Sequence, residues 1–157
     1  MTDALDEADS TYLRRAIALS QLARWHGNHP FGALLVTGGG RVVEAENTVI
    51  TDHDVTAHAE TNFVRLAWRE VDAAELPAST LFTSCEPCAM CCGAIFWAGV
   101  GRVVYALSGK GLIALAGPED GLDLPSREVF ARGGRSTIVS GPHREDEAAR
   151  AHLDFWS

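Results

Sequence analysis

Basic residues are in short supply in this chain: 13 Lys and Arg stand against 21 Asp and Glu in 157 residues, a formal net charge of −8. No cluster of Lys or Arg stands out anywhere along it. Phosphate backbones are bound largely through such side chains, so nucleic acid is a disfavoured partner and a small neutral molecule fits better. Long apolar runs are also missing, none approaching the roughly eighteen residues of a membrane span. The opening segment from Met1 to Ser10 is acidic and has neither the basic nor the apolar region of a secretory leader. These absences lead to the expectation of a cytoplasmic protein with reduced thiols and no membrane association. No repeat, low-complexity linker or composition break divides the chain, and 46% hydrophobic content is enough for a sizeable core, so 1–157 is read as a single domain. Gly109-Lys110-Gly111 lacks the Ser or Thr that would follow Gly-Lys in a phosphate loop, and no nucleophile elbow or dinucleotide fingerprint is found.

Cysteine is confined to one stretch, Cys85 to Cys92. A structural site made of four cysteines normally needs a second pair elsewhere, so any further metal ligand here has to come from another residue type. His58-Ala59-Glu60 lies upstream of Pro87-Cys88-Ala89-Met90-Cys91, and that order is the signature of zinc deaminases. The chemistry asks for these types: His58, Cys88 and Cys91 as ligands of one zinc ion per chain leave a corner open for water, and Glu60 is left uncommitted as general acid and base. Cys88 and Cys91, three apart, share one face in the first turn of a helix whose positive end favours thiolates, and Pro87 suits a helix start. His58 and Glu60, two apart, would diverge by roughly 200° in a regular helix. They converge only if His58 stands at the very start of a helix that points its N-terminus at the metal. Cys85 and Cys92 are read as small buried apolar residues.

Hydrophobic periodicity gives helices over 12–25, 56–71, 88–98 and 144–155, and strands over 31–37, 41–46, 80–84, 103–107 and 136–139. The Gly38-Gly39-Gly40 triplet is a hairpin turn between the first two strands. Residues 108–125 are read as irregular because Gly and Pro punctuate them. Strands alternating with helices imply an α/β sandwich with parallel pairs and helices on both faces of the sheet.

The element order and the two motifs resemble the cytidine deaminase superfamily, in the branch of guanine deaminases and other small nucleobase or nucleoside deaminases. Pro30-Phe31-Gly32-Ala33, Asn47-Thr48-Val49, Thr56-Ala57-His58-Ala59-Glu60, the run from Ser84 to Cys91 and Gly93-Ala94-Ile95-Phe96-Trp97-Ala98 carry the resemblance. It implies a three-layer fold around a central mixed five-stranded sheet. It also implies zinc-dependent hydrolytic removal of an exocyclic amine from a free nucleobase or nucleoside, with guanine to xanthine plus ammonia as the leading pair. Cytosine derivatives, isoguanine, aminotriazines and guanosine-type nucleosides stay open. Two rivals are kept: an adenosine-to-inosine deaminase acting on tRNA, and a non-catalytic zinc-stabilised binding protein with the same fold.

By the same resemblance Asn47 hydrogen-bonds the ring edge, the backbone of Ala59 meets the amine or carbonyl, and Phe31 and Trp97 wall the pocket. Each has a plainer reading: turn chemistry for Asn47, core packing for Phe31 and Trp97. Relatives use a second acidic residue for proton transfer, and offset suggests Glu119 or Asp120, although the surrounding Gly109-Lys110-Gly111 and Gly117-Pro118 do not follow the guanine deaminase pattern. Relatives also cap the pocket with a C-terminal tail, sometimes swapped between the subunits of a homodimer. Phe155 and Trp156 are the candidates for such a lid, with a terminal helix packing its own core as the alternative. His26, His29, His53, His143 and His152 have no partner at ligand spacing and are read as surface or capping residues.

Overall fold

The computed structural model describes residues 4–157, the side chain of Asp120 apart. Helix α1 (Glu7–Trp25) starts at Asp6, whose carboxylate accepts from the amide of Asp9 at 2.7 Å; Glu7 and Asp9 in its first turn and Arg24 in its last complement the helix dipole. Strands β1 (Gly32–Val36) and β2 (Val42–Glu46) follow as an antiparallel hairpin, turning at Gly40, whose φ of 87° suits glycine. A short helix α2 (Val49–Asp52) leads into α3 (Ala59–Glu70). Next come β3 (Thr80–Cys85), α4 (Ala89–Ala98) and β4 (Arg102–Leu107). Helices α5 (Gly109–Ala116) and α6 (Ser126–Ala131), strand β5 (Ile138–Ser140) and helix α7 (Glu145–Ala149) complete the order.

The sheet is mixed and five-stranded, in the order β2-β1-β3-β4-β5, with β1 antiparallel to both neighbours and β3, β4 and β5 parallel. Its central strands bury both faces, so alternate side chains enter different cores. Ala33, Leu35, Leu81 and Val103 pack with Phe63 and Ala67 of α3, Cys92 and Ile95 of α4 and Phe130 of α6. Leu34, Phe82, Val104 and Ala106 pack with Leu13, Ala16 and Ile17 of α1 and Ala148 of α7. The three layers expected from sequence are therefore present. No described helix is long and apolar enough to cross a membrane.

Three expectations need correction. The first half of 108–125 is not irregular: Ser108 caps α5, its hydroxyl accepting from Gly111 N at 3.0 Å, and the run Leu112 to Ala116 is helical, while residues 117–125 hold only the single turn Pro118–Asp120. Gly111 does not break that helix; it allows close packing, since a Cβ there would lie 2.8 Å from Leu107 Cδ1 and 2.9 Å from Glu145 Oε2. Second, α6 was not anticipated; its start is fixed by a long-range carboxylate that local periodicity does not reveal. Third, the terminal helix stops at Ala149, continues as a single 3₁₀ turn (Arg150–His152) and then folds back, with Asp154 at a φ of 56°.

Candidate active site

Both ligand-bearing helices begin on the residue that the chemistry needs. His58 is the N-cap of α3 and Cys88 the N-cap of α4, each with extended backbone (ψ of 159° and 171°), and neither uses its side chain to cap its own helix. This is the geometry that lets His58 and Glu60 converge: the extended N-cap resets the helical angle between them. Cys91 follows in the first turn of α4. The Nδ1 of His58 lies 3.6 Å from Cys88 Sγ and 3.5 Å from Cys91 Sγ, and the three donor atoms all fall within 4.8 Å of one another.

Those separations fit a metal. A tetrahedron with metal–nitrogen and metal–sulfur bonds of about 2.0 and 2.3 Å has an N···S edge of about 3.5 Å. Among the described residues this is the cluster of His, Cys, Asp and Glu able to hold an ion. One nitrogen and two sulfurs are the donor set zinc prefers, and three ligands are one short of closure. One thiol is prepared for it: the hydrogen bond from Cys91, supported by His58, holds the Cys88 thiol down at about 4 against the effect of burial. Cys91 is driven the other way, by its bond to Cys88 and by burial, and His58 is raised by Cys88.

Glu60, in the first turn of α3, is 4% exposed. Burial raises its carboxyl above the ordinary range, and a hydrogen bond from Thr83 Oγ1 to Oε1 at 2.7 Å works against that rise. Glu60 is close enough to Cys91 for a side-chain hydrogen bond that adds to the rise of that thiol. The acid and the three donors are thus one unit, as the sequence reading required.

The remaining candidates divide. Ala59, fully buried, is the first residue of α3. Asn47 is 1% exposed, and its Oδ1 accepts from Val49 N at 3.1 Å, so the turn reading holds for that end of the amide and the amino end is what can meet a ligand. Phe31 is half-buried, packs on both cores, and its carbonyl accepts from Asn47 N at 3.0 Å. Trp97 does not wall a pocket of this chain: it is 80% exposed and edges against Phe96, because it lies six residues beyond Cys91 and so on another side of α4. Glu119 is exposed on a single turn (Pro118–Asp120), and the side chain of Asp120 lies outside the described residues. Phe155 and Trp156 fold back over the start of β1, with ring centroids 5.9 Å and 5.6 Å from His29 and Trp156 6.1 Å from Phe31.

Sequence reasoning missed three groups. Thr83 and Ser84 are fully buried at the end of β3; Ser84 Oγ accepts from Gly32 N at 3.1 Å and ties β1 to the ligand loop. Glu86, between the strand and Pro87, accepts from Ser126 N at 2.9 Å, Ser126 Oγ at 2.8 Å and Gly109 N at 2.8 Å, joining the starts of α5 and α6 to the ligand loop. His152 is a correction: it was read as a surface or capping residue and is 3% exposed. The available signal was polar residues inside or next to a buried apolar run.

The cytidine and deoxycytidylate deaminase zinc-binding region matches residues 6–107, which span both motifs and the strands that carry them. The chain belongs to this deaminase family. A probable cytosine deaminase of Schizosaccharomyces pombe is 43% identical over 155 residues, 97% of this chain and 94% of that protein. The guanine deaminase of Bacillus subtilis is 44% identical over 97 residues, 61% of this chain and 62% of that protein. A solved structure from work on A-to-I editing by tRNA:A34 deaminases shares the fold, with a TM-score of 0.73 at 27% identity over 90% of this chain and 99% of that one. The protein is thus a zinc-type deaminase, and His58, Cys88 and Cys91 are its possible zinc ligands.

Proposed function

We propose that this protein hydrolytically removes the exocyclic amine of a free nucleobase, with Glu60 as the proton shuttle. The observation that carries the reading is the buried Glu60 carboxyl set beside the His58, Cys88 and Cys91 donors and held by Thr83. A protein that used zinc only to hold its fold would have no need of that acid. When bound, zinc supplies Lewis acidity that makes a water nucleophilic at neutral pH. Glu60 would take one proton from the attacking water and pass it to the ring nitrogen, then take the second, left on the hydroxyl of the adduct, and pass it to the leaving amine as the C–N bond breaks. The Nδ2 amino group of Asn47 and the backbone of Ala59 orient the ring, while Phe31 and Trp156 stack against it and exclude water.

Cytosine is put ahead of guanine. The likeness to a probable cytosine deaminase extends over 97% of this chain, whereas the guanine deaminase likeness extends over 61%. Guanine is kept as the second substrate because the identity is as high where that likeness applies. A tRNA substrate is disfavoured by the excess of 21 acidic over 13 basic residues. The homodimer expected from the resemblance belongs to this proposal: a second copy would cover Trp97 and Met90 on α4, and sedimentation velocity checks it.

The test is ammonia release by the zinc-loaded protein with cytosine, guanine, their nucleosides, isoguanine, aminotriazines and a tRNA stem-loop. The expected result is turnover of a free base, lost in Glu60→Gln while zinc stays bound. Absence of turnover across that panel, or full activity in Glu60→Gln, overturns the proposal.

A further inference from the structure

Asn62 is out of place by local rules. Asparagine is a poor helix former because its amide competes for backbone groups, yet Asn62 is the fourth residue of α3, with its own N–H bonded to His58 O at 2.9 Å. Its amino group works outside the helix. Nδ2 donates to Glu46 O at 2.9 Å and to Thr48 Oγ1 at 2.8 Å, with Ala57 O at 3.4 Å, while Oδ1 accepts from Arg65 at 2.8 Å. Those acceptors belong to the two residues that flank Asn47 and to the one directly before His58.

The chain between these points closes on itself. Thr48 N donates to Ala57 O at 3.0 Å, so the segment from Thr48 to Ala57 leaves and returns at one junction. Asn47 and His58 are the next residues outward on its two sides, and the junction therefore sets how far one stands from the other. Asn47 is 1% exposed, its N–H donating to Phe31 O at 3.0 Å and its Oδ1 accepting from Val49 N at 3.1 Å. Neither bond reaches α3, the helix of His58 and Glu60. Thr48 is the N-cap of α2, yet its hydroxyl does not cap that helix and accepts from Asn62 instead. Asn62 thus ties both flanks of Asn47 to the helix that carries the candidate ligand and the acid.

We propose that Asn62 is a positioning residue, which holds Asn47 in register with His58 and Glu60 so that a base gripped by Asn47 presents its amine-bearing carbon to the metal centre. The base and the role of Asn47 rest on the deaminase reading above. A misplacement of about 1 Å can cost about 100-fold in rate. Asn62 acts through Asn47, and that separates it from a residue that only supports the fold.

The experiment is a double-mutant cycle between Asn47→Ala and Asn62→Leu, which is close in size but cannot donate. Rates are taken per bound zinc with cytosine, or with guanine if guanine is the base turned over. Asn62→Leu alone should lower kcat/KM about 10- to 100-fold, with part of the loss in kcat, and leave zinc affinity unchanged. In the Asn47→Ala background the same change should cost less than about 2-fold, because the residue it acts through is gone. Asn62→Gln, which returns the amide, should recover part of the loss. Additive losses, or a fall in zinc affinity, would mark Asn62 as a support of the fold or of His58 and overturn the proposal. Thr48→Val removes one acceptor and should give a smaller loss with the same dependence on Asn47; it serves if Asn62→Leu does not fold, and an additive loss there overturns the proposal equally. A further readout needs no turnover: in the zinc-loaded protein, amide hydrogen exchange at Asn47 and Val49 should accelerate about 10-fold or more in Asn62→Leu and stay unchanged at Phe63 and Ala67. Unchanged exchange at Asn47 overturns the proposal. If no base releases ammonia while exchange at Asn47 still rises, the deaminase reading falls and the bracing of Asn47 by Asn62 stands.

Discussion

Thr83 Oγ1 stands 2.7 Å from Oε1 of Glu60 and 3.0 Å from the carbonyl oxygen of Cys85, with one proton to give between them. While Glu60 is ionised, that proton belongs to the carboxylate. Once Glu60 is protonated, it can donate to Thr83, whose hydroxyl turns to the Cys85 carbonyl. Neither state leaves a buried polar atom unpaired, which is what the proton-shuttle role proposed for Glu60 would require.

Thr83→Val removes this switch and strands the Glu60 carboxyl, at a cost of about 1–3 kcal/mol. Ammonia release should fall about 10-fold or more with zinc content unchanged, and Thr83→Ser should restore most of it. Steady-state rates with metal analysis on the same samples check it.

Removing the metal should expose a selective nucleophile. In the metal-free protein the hydrogen bond from Cys91 holds Cys88 at about 4, and Cys88 is the half-buried member of a set whose others, Cys85, Cys91 and Cys92, are buried. Iodoacetamide at pH 6 after chelation should therefore alkylate Cys88 first, and zinc should block the reaction. Peptide mass spectrometry reads the site; labelling of Cys85 or Cys92 first would contradict it.

His152 ties stability to pH. Its folded-state value of about 4 lies below the ordinary 6.5, because burial and Arg24 disfavour the charged ring. The unfolded chain binds the proton more readily, so the contribution is complete above about 6.5 and is lost as pH falls from there to about 4, worth up to about 3 kcal/mol. Urea midpoints at pH 7, 5.5 and 4.5 should drop more steeply in the wild type than in His152→Phe.

Glu86→Ala breaks three bonds, to Ser126 N, Ser126 Oγ and Gly109 N. The expected destabilisation is about 2–3 kcal/mol, a fall in Tm of about 4–12 °C. Hydrogen exchange should accelerate at the starts of α5 and α6 and spare α1.

The grouping of His58, Cys88 and Cys91 with Glu60 was legible because the spacing of these residues is local and few other uses call for that combination. The five strands were legible to within a residue or two because their apolar runs are bounded by turns. Other features depended on distant partners. Helices α5 and α6 start where Glu86 and Glu145 receive their amides, and the glycines at 109 and 111 look like breakers until Glu86 is seen against the first and Leu107 and Glu145 against the second. The burial of His152 needs the tail to fold onto Phe31, and Trp97 looked like a pocket wall only by resemblance. Thr83 was visible as a residue but not as a partner of Glu60, since pairing across 23 positions leaves no local trace.

Because His58 and Cys88 make no side-chain cap, α3 and α4 both begin at the cluster of three donors with uncapped first turns. Two positive helix ends thus meet the anionic Cys88 thiolate and the Glu60 carboxyl, inside a molecule whose formal net charge is −8. Such a protein can favour the negative charge that develops on a reacting base while its exterior turns polyanions away.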